Sequence, residues 1–389
     1  MRIIFHIDVN NAFLSWSSVD LLKNGSKIDY RTVPSIISYS NGKNGIVLAK
    51  SESAKKLGIV TPELVYSAKK KCPTLHIIKP NYDLYEKYSK DLMTYLLKFT
   101  NEMQQYSIDE CFIELTNTNY LYKDFFKLAY TIKEEIFQKF GFTVNVGIGN
   151  NKLLAKMASE LEKPNKVCSI LINEIEEKMH PLPIGKLFMV GKKTEELLIS
   201  KGIKTIEDLA NSDINQIISY LGIFGKTIHN YANGIDDSKV MPYIPKNKSI
   251  SLENSLKFKN IEQIKNILYN QSSELGRKLR ISKEYAYVIN VYIKDNSFKR
   301  KSIQTTLRIP INTNIDIYNN AVVLYKKLKI EDDIRLIGIK LTNLTKKRQI
   351  QLSLFDDIEK YNSNNGLQKL VDDINTKFGN NFIKIGLKD

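Results

Sequence analysis

Residues 2–9 are apolar at nearly every position and stop at Asn10 and Asn11, the pattern of a strand buried on both faces. Asp8 therefore falls at a strand end. Residues 106–115 and 142–149 are two further short runs rich in β-branched and aromatic side chains, and the stretch 122–140 between them predicts a helix. Together they predict an α/β layer. Between about 30 and 80, several glycines and the run Lys69, Lys70, Lys71 mark a small subdomain inserted into it. After Pro164 the pattern changes to short helices punctuated by glycine, in PIGKLFMVGKKTEELLISKGIKTIEDLA and LGIFGKTIHNYANGI, which predicts helical hairpins. Residues 236–249 carry prolines and lysines with little apolar periodicity, as a linker does. From 251 to 344 the order is strand, helix, strand, strand, helix, strand, with Tyr285, Tyr287, Ile289, Val291 and Ile293 alternating, which predicts a ferredoxin-like sandwich. The tail beyond Lys346 holds QLSLFDD, an asparagine-rich spacer and a weak helix ending near Lys377, and no repeat of fixed period occurs.

Composition narrows the class. A chain of 389 residues is long enough for several domains, and 42% hydrophobic with 10% aromatic residues supplies their cores. The formal charge of +16 favours a polyanionic partner. No apolar run approaches the roughly 18–20 residues of a membrane span, and Asp8 interrupts the N-terminal stretch, so the expected location is the cytoplasm. Cys72, Cys111 and Cys168 form no close pair and the four histidines lack ligand spacing, which disfavours disulfides and zinc. Metal chemistry would have to use carboxylates.

Asp8 at one strand end and the adjacent Asp109 and Glu110 in YSIDECFIEL are such carboxylates. Buried acids need a cation, and magnesium takes oxygen from one or two carboxylates plus substrate phosphates. In a regular strand Asp109 and Glu110 point to opposite faces, so both reach one site only at a bend or strand start. Acids at strand ends are more often solvated or salt-bridged than catalytic. In NKLLAKMASELEKPN, Lys152, Lys156 and Lys163 fall within about 40° of one another on a helical wheel, opposite Leu154, Met157 and Leu161. Such a stripe is ordinarily a solvated face, although the preceding GIGN turn offers backbone amides to a phosphate.

HIDVNNAF at 6–13, YSIDE at 106–110, VGIGNNKLLAKMASELEKPN at 146–165 and the C-terminal QLSLF resemble, in this order, the motifs of Y-family translesion DNA polymerases of the DinB type. The resemblance spans nearly the whole chain. It implies an α/β and α+β multidomain, right-hand polymerase: palm 1–165 with inserted fingers at about 20–78, helix-hairpin-helix thumb 166–235, linker 236–249, ferredoxin-like little finger 250–345, and a tail 346–389 with a clamp-binding motif. The implied activity is low-fidelity, template-directed addition of dNTPs to a primer 3′ end with two Mg²⁺ and no proofreading, serving DNA repair and replication. Asp8 and Asp109 would hold both ions, the Val9 carbonyl would add a ligand and Glu110 would complete the site. Lys163 would hold triphosphate, and Phe13 would be the steric gate that rejects a 2′ hydroxyl, where the alternative is a buried core aromatic. Many relatives carry aspartate at Asn10 and an aromatic at Ala12, and tyrosine and arginine at Glu52 and Lys55. Lys55 keeps the charge for triphosphate without the arginine fork.

The hairpins at MVGKKTEELL and LGIFGK would present backbone amides to DNA phosphates around Gly191 and Lys192, with Phe188 where glycine is more usual. Lys152, Arg300 and Lys301 would touch the duplex, the last two within a basic set with Arg277, Lys278, Arg280 and Lys299. Gln351, Leu352, Leu354 and Phe355 would dock on the sliding clamp, the enzyme being otherwise a monomer. A non-catalytic DNA-binding accessory factor is the rival that would use the hairpins and tail alone, but it has no need of the three carboxylates. A palm-bearing nucleotidyl cyclase shares the carboxylates and has no use for a thumb.

Overall fold

The N-terminal apolar run forms β1 (Ile4–Val9), buried at all six positions. The computed structural model describes residues 2–40, 42, 45–118, 121–242, 247–255, 261–328 and 334–346, with Leu370, Val371, Asp373, Ile374 and Lys377 beyond them. They fall into two units, Met1–Ile244 and Pro245–Asp389. In the first, β1 leads into α1 (Ala12–Lys23). Three short strands, β2 (Ser35–Ile37), β3 (Ala49–Lys50) and β4 (His76–Ile78), then form a sheet in the order β3-β2-β4, with α2 (Glu52–Lys56) and α3 (Val65–Lys71) between β3 and β4. Ile36, Val47, Ala54, Ile59 and Val65 give this inserted piece a core of its own. The main layer resumes with α4 (Tyr82–Leu96), β5 (Met103–Gln105), β6 (Glu110–Glu114), α5 (Phe125–Phe140), β7 (Val144–Gly149), α6 (Lys152–Leu161) and β8 (Val167–Ile170). Its strand order is β5-β6-β1-β7-β8, with β1 antiparallel to β6 and β7, and β8 parallel to β7. The edge strand β8 thus lies beyond residue 165, in the segment that the sequence pattern gave to the helical hairpins.

Alternation divides β1 between two coverings. Phe5, Ile7 and Val9 join Val144, Val146, Cys111 and Ile113 in a core with Trp16, Tyr85 and Ile132 from the helices behind. Each fully buried large side chain there contributes about 1.5–3 kcal/mol. On the opposite face stand His6 and Asp8, and α6 lies over it. A Cβ at Gly147 or Gly149 would run into the backbone of α6 at Leu154, Ala155 and Ser159, so the close approach of helix to strand requires glycine at both.

Next come α7 (Ile175–Lys178), α8 (Lys192–Ser200), α9 (Ile206–Ala210), α10 (Ile214–Leu221) and α11 (Ile223–Ala232), around a core that includes Leu198, Ile206, Ile217 and Ile228. Gly222, with φ of 63°, makes the turn between α10 and α11. The chain then runs back along the first sheet: Val240 is buried with Ile4, Phe112 and Ala155, and Leu153 N donates to Asp236 Oδ2 at 3.2 Å. The first half of the stretch expected as linker is therefore packed.

The second unit contains β9 (Ser249–Ser255), α12 (Ile261–Ile281), β10 (Tyr285–Asp295), β11 (Arg300–Ile311), α13 (Asn314–Lys327) and β12 (Ile334–Thr345). This is the β-α-β-β-α-β connectivity expected of a ferredoxin-like sandwich. The four antiparallel strands lie in the order β11-β10-β12-β9. Ile289, Val291, Ile293, Ile337, Ile339 and Leu341 meet Leu268, Leu275, Ile317 and Leu324 of the two helices in one core. By register, the sheet face away from the helices carries Lys294, Arg300, Gln304 and Lys340.

Candidate active site

The site begins as one row across three strands. Asp8 pairs directly with Glu110 on β6 and with Asn145 on β7, so the three side chains share the face that α6 covers. Asp109 is outside the ladder. It lies in the bend before β6, where the Ser107 hydroxyl donates to its Oδ1 at 2.6 Å and its carbonyl accepts from Val9 N at 3.1 Å. Glu110 is the first residue of β6. The bend answers the geometric objection from alternation, since Asp109 and Glu110 are not consecutive residues of a regular strand.

Two lysines serve this row. Lys163 Nζ pairs with Asp8 Oδ2, and Lys156 Nζ with Glu110 Oε2 at 2.8 Å. Glu160 Oε1 joins both lysines, at 2.8 Å to Lys163 and 3.2 Å to Lys156. His6, two residues before Asp8, places Nε2 3.0 Å from Glu110 Oε2 and Nδ1 2.8 Å from Ser159 Oγ. Burial lowers the His6 pKa, so the ring is neutral. A neutral ring facing a carboxylate donates through Nε2, which leaves Nδ1 the acceptor beside a Ser159 hydroxyl whose one hydrogen is shared with the Lys156 carbonyl at 2.8 Å. Burial also pushes the Asp8 carboxyl up, against the pull of Lys163. Glu110 feels the same burial, but His6 and Lys156 outweigh it and hold the group at about 2. The two carboxylates thus differ: Glu110 is firmly ionised, whereas Asp8 is a buried acid whose charge calls for a cation.

Other expected residues are placed differently. Phe13 is half-buried, stacked on Tyr85 with centroids 4.5 Å apart and edge-on to Tyr82 at 5.6 Å. It is at once part of the aromatic core and partly open. Lys55 is exposed and pairs with its i,i+3 neighbour Glu52 at 3.6 Å, while Glu52 also accepts from Asn11 Nδ2 at 3.4 Å. Lys152 is half-buried, bonded to Gln104 Oε1 at 3.2 Å and 5.8 Å from the centre of the Phe112 ring. Gly191 is the N-cap of α8, which begins at Lys192. Phe188 packs against Tyr106 and Tyr231, and the left-handed residue there is its neighbour Met189, with φ of 71°. Arg300 and Lys301 point to opposite sides of β11, with Arg300 4.0 Å from the centre of the Tyr292 ring. Gln351, Leu352, Leu354 and Phe355 lie outside the described residues.

Two readings from the sequence need correction. Lys156 is not on a solvated stripe: it is 9% exposed and bound to Glu110, because α6 ends at Leu161 and its Lys156 side faces the sheet. The GIGN turn does not offer free amides to a phosphate. Its glycines are taken up by helix packing, Asn151 Oδ1 caps Leu154 N at 2.8 Å, and Asp236 takes Leu153 N. His6 and Asn145 were missed. The only signal was period two, which puts His6 on the Asp8 face, whereas Asn145 is tied to Asp8 by a register that the sequence does not display.

Asp8, Asp109 and Glu110 lie at neighbouring strand ends and bring only oxygen donors, the kind that a hard divalent ion takes. Among the described residues no three or more of His, Cys, Asp and Glu are gathered closely enough to hold a metal ion by themselves. An ion of the magnesium type needs no such group, since it takes one or two carboxylates and completes its shell with water and phosphate oxygens.

Comparison with known proteins decides the family. The impB/mucB/samB family model matches residues 7–160 and its C-terminal-domain model matches 247–354. The chain is 42% identical over 386 residues to DNA polymerase IV of Clostridium acetobutylicum, covering 98% of this chain and 97% of that one. The chain belongs to the Y-family DNA polymerases, of the DinB type. A second relative, DNA polymerase IV 1 of Bacillus subtilis, is 31% identical, covering 99% of this chain and 92% of its own. Among solved structures, a Y-family DNA polymerase chimera superposes with a TM-score of 0.78 at 22% identity, over 89% of this chain and 100% of the other, which bears on the fold. As a Y-family member the protein is a DNA-directed DNA polymerase of the translesion kind, dependent on a divalent metal. Low fidelity without proofreading is a general feature of that family. No described helix is long and apolar enough to cross a membrane.

Proposed function

We propose that the row of Asp8 and Glu110, completed by Asp109 at the Val9 strand end, is the site of nucleotidyl transfer from a dNTP to a primer 3′ hydroxyl. The observation that carries this reading is the pairing of each buried carboxylate with its own lysine. Asp8 and Asp109, with the Val9 carbonyl, are positioned to hold two Mg²⁺, and Glu110 closes the site beside the primer end. Bound there, the ions would lower the barrier by activating the attacking hydroxyl and neutralising the leaving phosphate. The rest is work for the side chains. Lys163, now on Asp8, would turn to triphosphate oxygens once the Asp8 carboxylate held a cation. Lys156 and His6 keep Glu110 ionised and fixed in orientation. Phe13, held flat by Tyr85, abuts the sugar and excludes a 2′ hydroxyl, and Lys55 reaches the triphosphate from the inserted fingers.

Beside Lys156 and Glu160 a cleft of about 370 Å³, walled by Met157, Leu182 and Phe188, lies between α6 and the segment before α8. Lys156, which lines it, also holds Glu110, so the primer end would approach from this side. By family, 1–165 would act as palm with fingers at about 20–78, 166–235 as thumb, 236–249 as linker and 250–345 as little finger. Gly191 and Lys192 at the start of α8, together with Arg300, would grip duplex phosphates without reading bases, and Lys301, on the other side of β11, would add less. Lys152, tied to Gln104, supports that role least. Gln351, Leu352, Leu354 and Phe355 in the tail 346–389 would tether the monomer to the sliding clamp in the cytoplasm. Such a tether raises its effective concentration at the primer end. Replacing Leu354 and Phe355 with alanine should abolish clamp-stimulated synthesis and leave clamp-free extension near normal. Primer extension by Glu110→Ala tests the site itself, and a rate within a few-fold of the parent contradicts it.

A further inference from the structure

The row of Asp8 and Glu110 continues through Asn145 to Asn10, two buried polar groups that the reaction does not use. Asn10 and Asn145 are 8% and 1% exposed, and their amides face each other with Asn10 Nδ2 donating to Asn145 Oδ1 at 2.9 Å. Every other contact of the pair orients it. Asn145 Nδ2 donates to two carbonyls, Ser159 O at 2.9 Å and Glu162 O at 2.6 Å, so its oxygen must point away from them, toward Asn10. That oxygen also accepts from Lys166 N at 3.3 Å. Asn10 Oδ1 accepts from Thr143 Oγ1 and from Asn165 N, each at 2.9 Å.

Four of these bonds end on the backbone of residues 159, 162, 165 and 166, which bracket Lys163. The helix is over by this turn, since α6 stops at Leu161, the C-cap Glu162 is extended and Asn165 is left-handed with φ of 58°; its other ties include Lys133 Nζ on Asn165 Oδ1 at 3.2 Å and Val146 N on Lys166 O at 2.9 Å. The two amides supply acceptors and donors for the helix end and the turn, which the backbone itself leaves unsatisfied. They also explain why position 10 holds an amide here. A carboxylate there would set an oxygen against the Asn145 oxygen in a buried site, and Asn145 cannot flip without losing both carbonyls.

We infer that the Asn10–Asn145 amide pair is a positioning device that fixes the turn carrying Lys163, and so sets how tightly incoming dNTP is bound. The inference rests on the reading of Lys163 as a triphosphate ligand. It makes Asn10 and Asn145 positioning residues that touch neither substrate nor metal.

The test is steady-state single-nucleotide addition on a saturating primer–template, with KM for dNTP and kcat measured for Asn10→Asp, Lys163→Ala and the double variant of the full chain, each checked by thermal melting. Asn10→Asp, which keeps size and the acceptors for Thr143 and Asn165, should raise KM about tenfold and lower kcat by less than about threefold. In the Lys163→Ala background the same change should add less than about twofold, because the device then has nothing to position. An equal increase in both backgrounds would overturn the inference, as would a loss confined to kcat. Lys163→Ala with an unchanged KM would instead overturn the triphosphate reading on which it stands. If Asn10→Asp fails to fold, Thr143→Val, which removes one donor to Asn10, carries the same comparison with an expected increase of about two- to threefold.

Discussion

The two larger sheets of this molecule use polar residues in opposite ways. In the first unit, helices cover both faces, and the polar side chains of β1 are forced into fixed partnerships: His6 and Lys156 on Glu110, Lys163 on Asp8. In the second unit, both helices lie on one face, and the other presents Lys294, Arg300 and Lys340 with few fixed partners. Burial turns the first set into chemistry, because a charge out of water interacts strongly with a few neighbours. Exposure makes the second set a grip, adequate for a phosphate backbone and indifferent to sequence.

The largest effect should come from breaking the covered row. Asp109→Ala should slow nucleotide addition about 1,000-fold or more, since metal-assisted charge stabilisation supplies several kcal/mol at about 1.4 kcal/mol per tenfold. Single-turnover extension measures it. Next is Phe13→Ala, which should let ribonucleotides in by about 10- to 100-fold, the equivalent of the 1–3 kcal/mol that overpacking one group costs. Relative incorporation of rNTP and dNTP reads this out, and unchanged selectivity would return Phe13 to a purely core role beside Tyr85.

On the helix-free face the effects should be smaller and salt-dependent. Arg300→Glu should flatten the dependence of log K on log salt for primer–template by about 0.9 or more, whereas Lys301→Glu, on the other side of β11, should change it less. Equal changes would remove the distinction between the two faces. Smallest is the Arg2–Glu114 pair at 2.9 Å. The hydrogen bond from Arg2 holds the Glu114 carboxyl below its usual 4.5 despite burial. A depressed folded pKa contributes stability above that value and loses it as pH falls through the folded pKa. Glu114→Gln should therefore lower Tm by about 1–3 °C at pH 7, for a partly exposed pair of about 0.2–1 kcal/mol, and the gap should shrink as pH falls below the usual 4.5.

What the sequence disclosed follows the same contrast. The continuous apolar run of β1, the alternation in β10 and the three carboxylates were legible because they are local patterns. Lys156 was misread because a helical wheel run through to Lys163 treats 152–163 as one helix with a single wet side, whereas α6 ends at Leu161 and lies with Lys156 against the sheet. His6 in an apolar run looked like core, and Asn145 gains its meaning only from the β1–β7 register. The GIGN turn was read as a cradle of backbone amides, yet the use of its two glycines is to let α6 approach β7. Arg300 and Lys301 looked like one basic patch, and strand alternation separates them.

Both halves of the contrast meet in one experiment: the rate of single-nucleotide addition and the Kd for primer–template, measured together at two salt concentrations for Glu110→Ala and for Arg300→Glu combined with Lys340→Glu. Glu110→Ala should lose the rate and keep Kd and its salt slope within about twofold. The double reversal should weaken Kd, steeply at low salt, and keep the rate at saturating DNA within a few-fold. A Glu110→Ala enzyme that still extends primers, or one whose DNA affinity collapses along with its rate, would contradict the account.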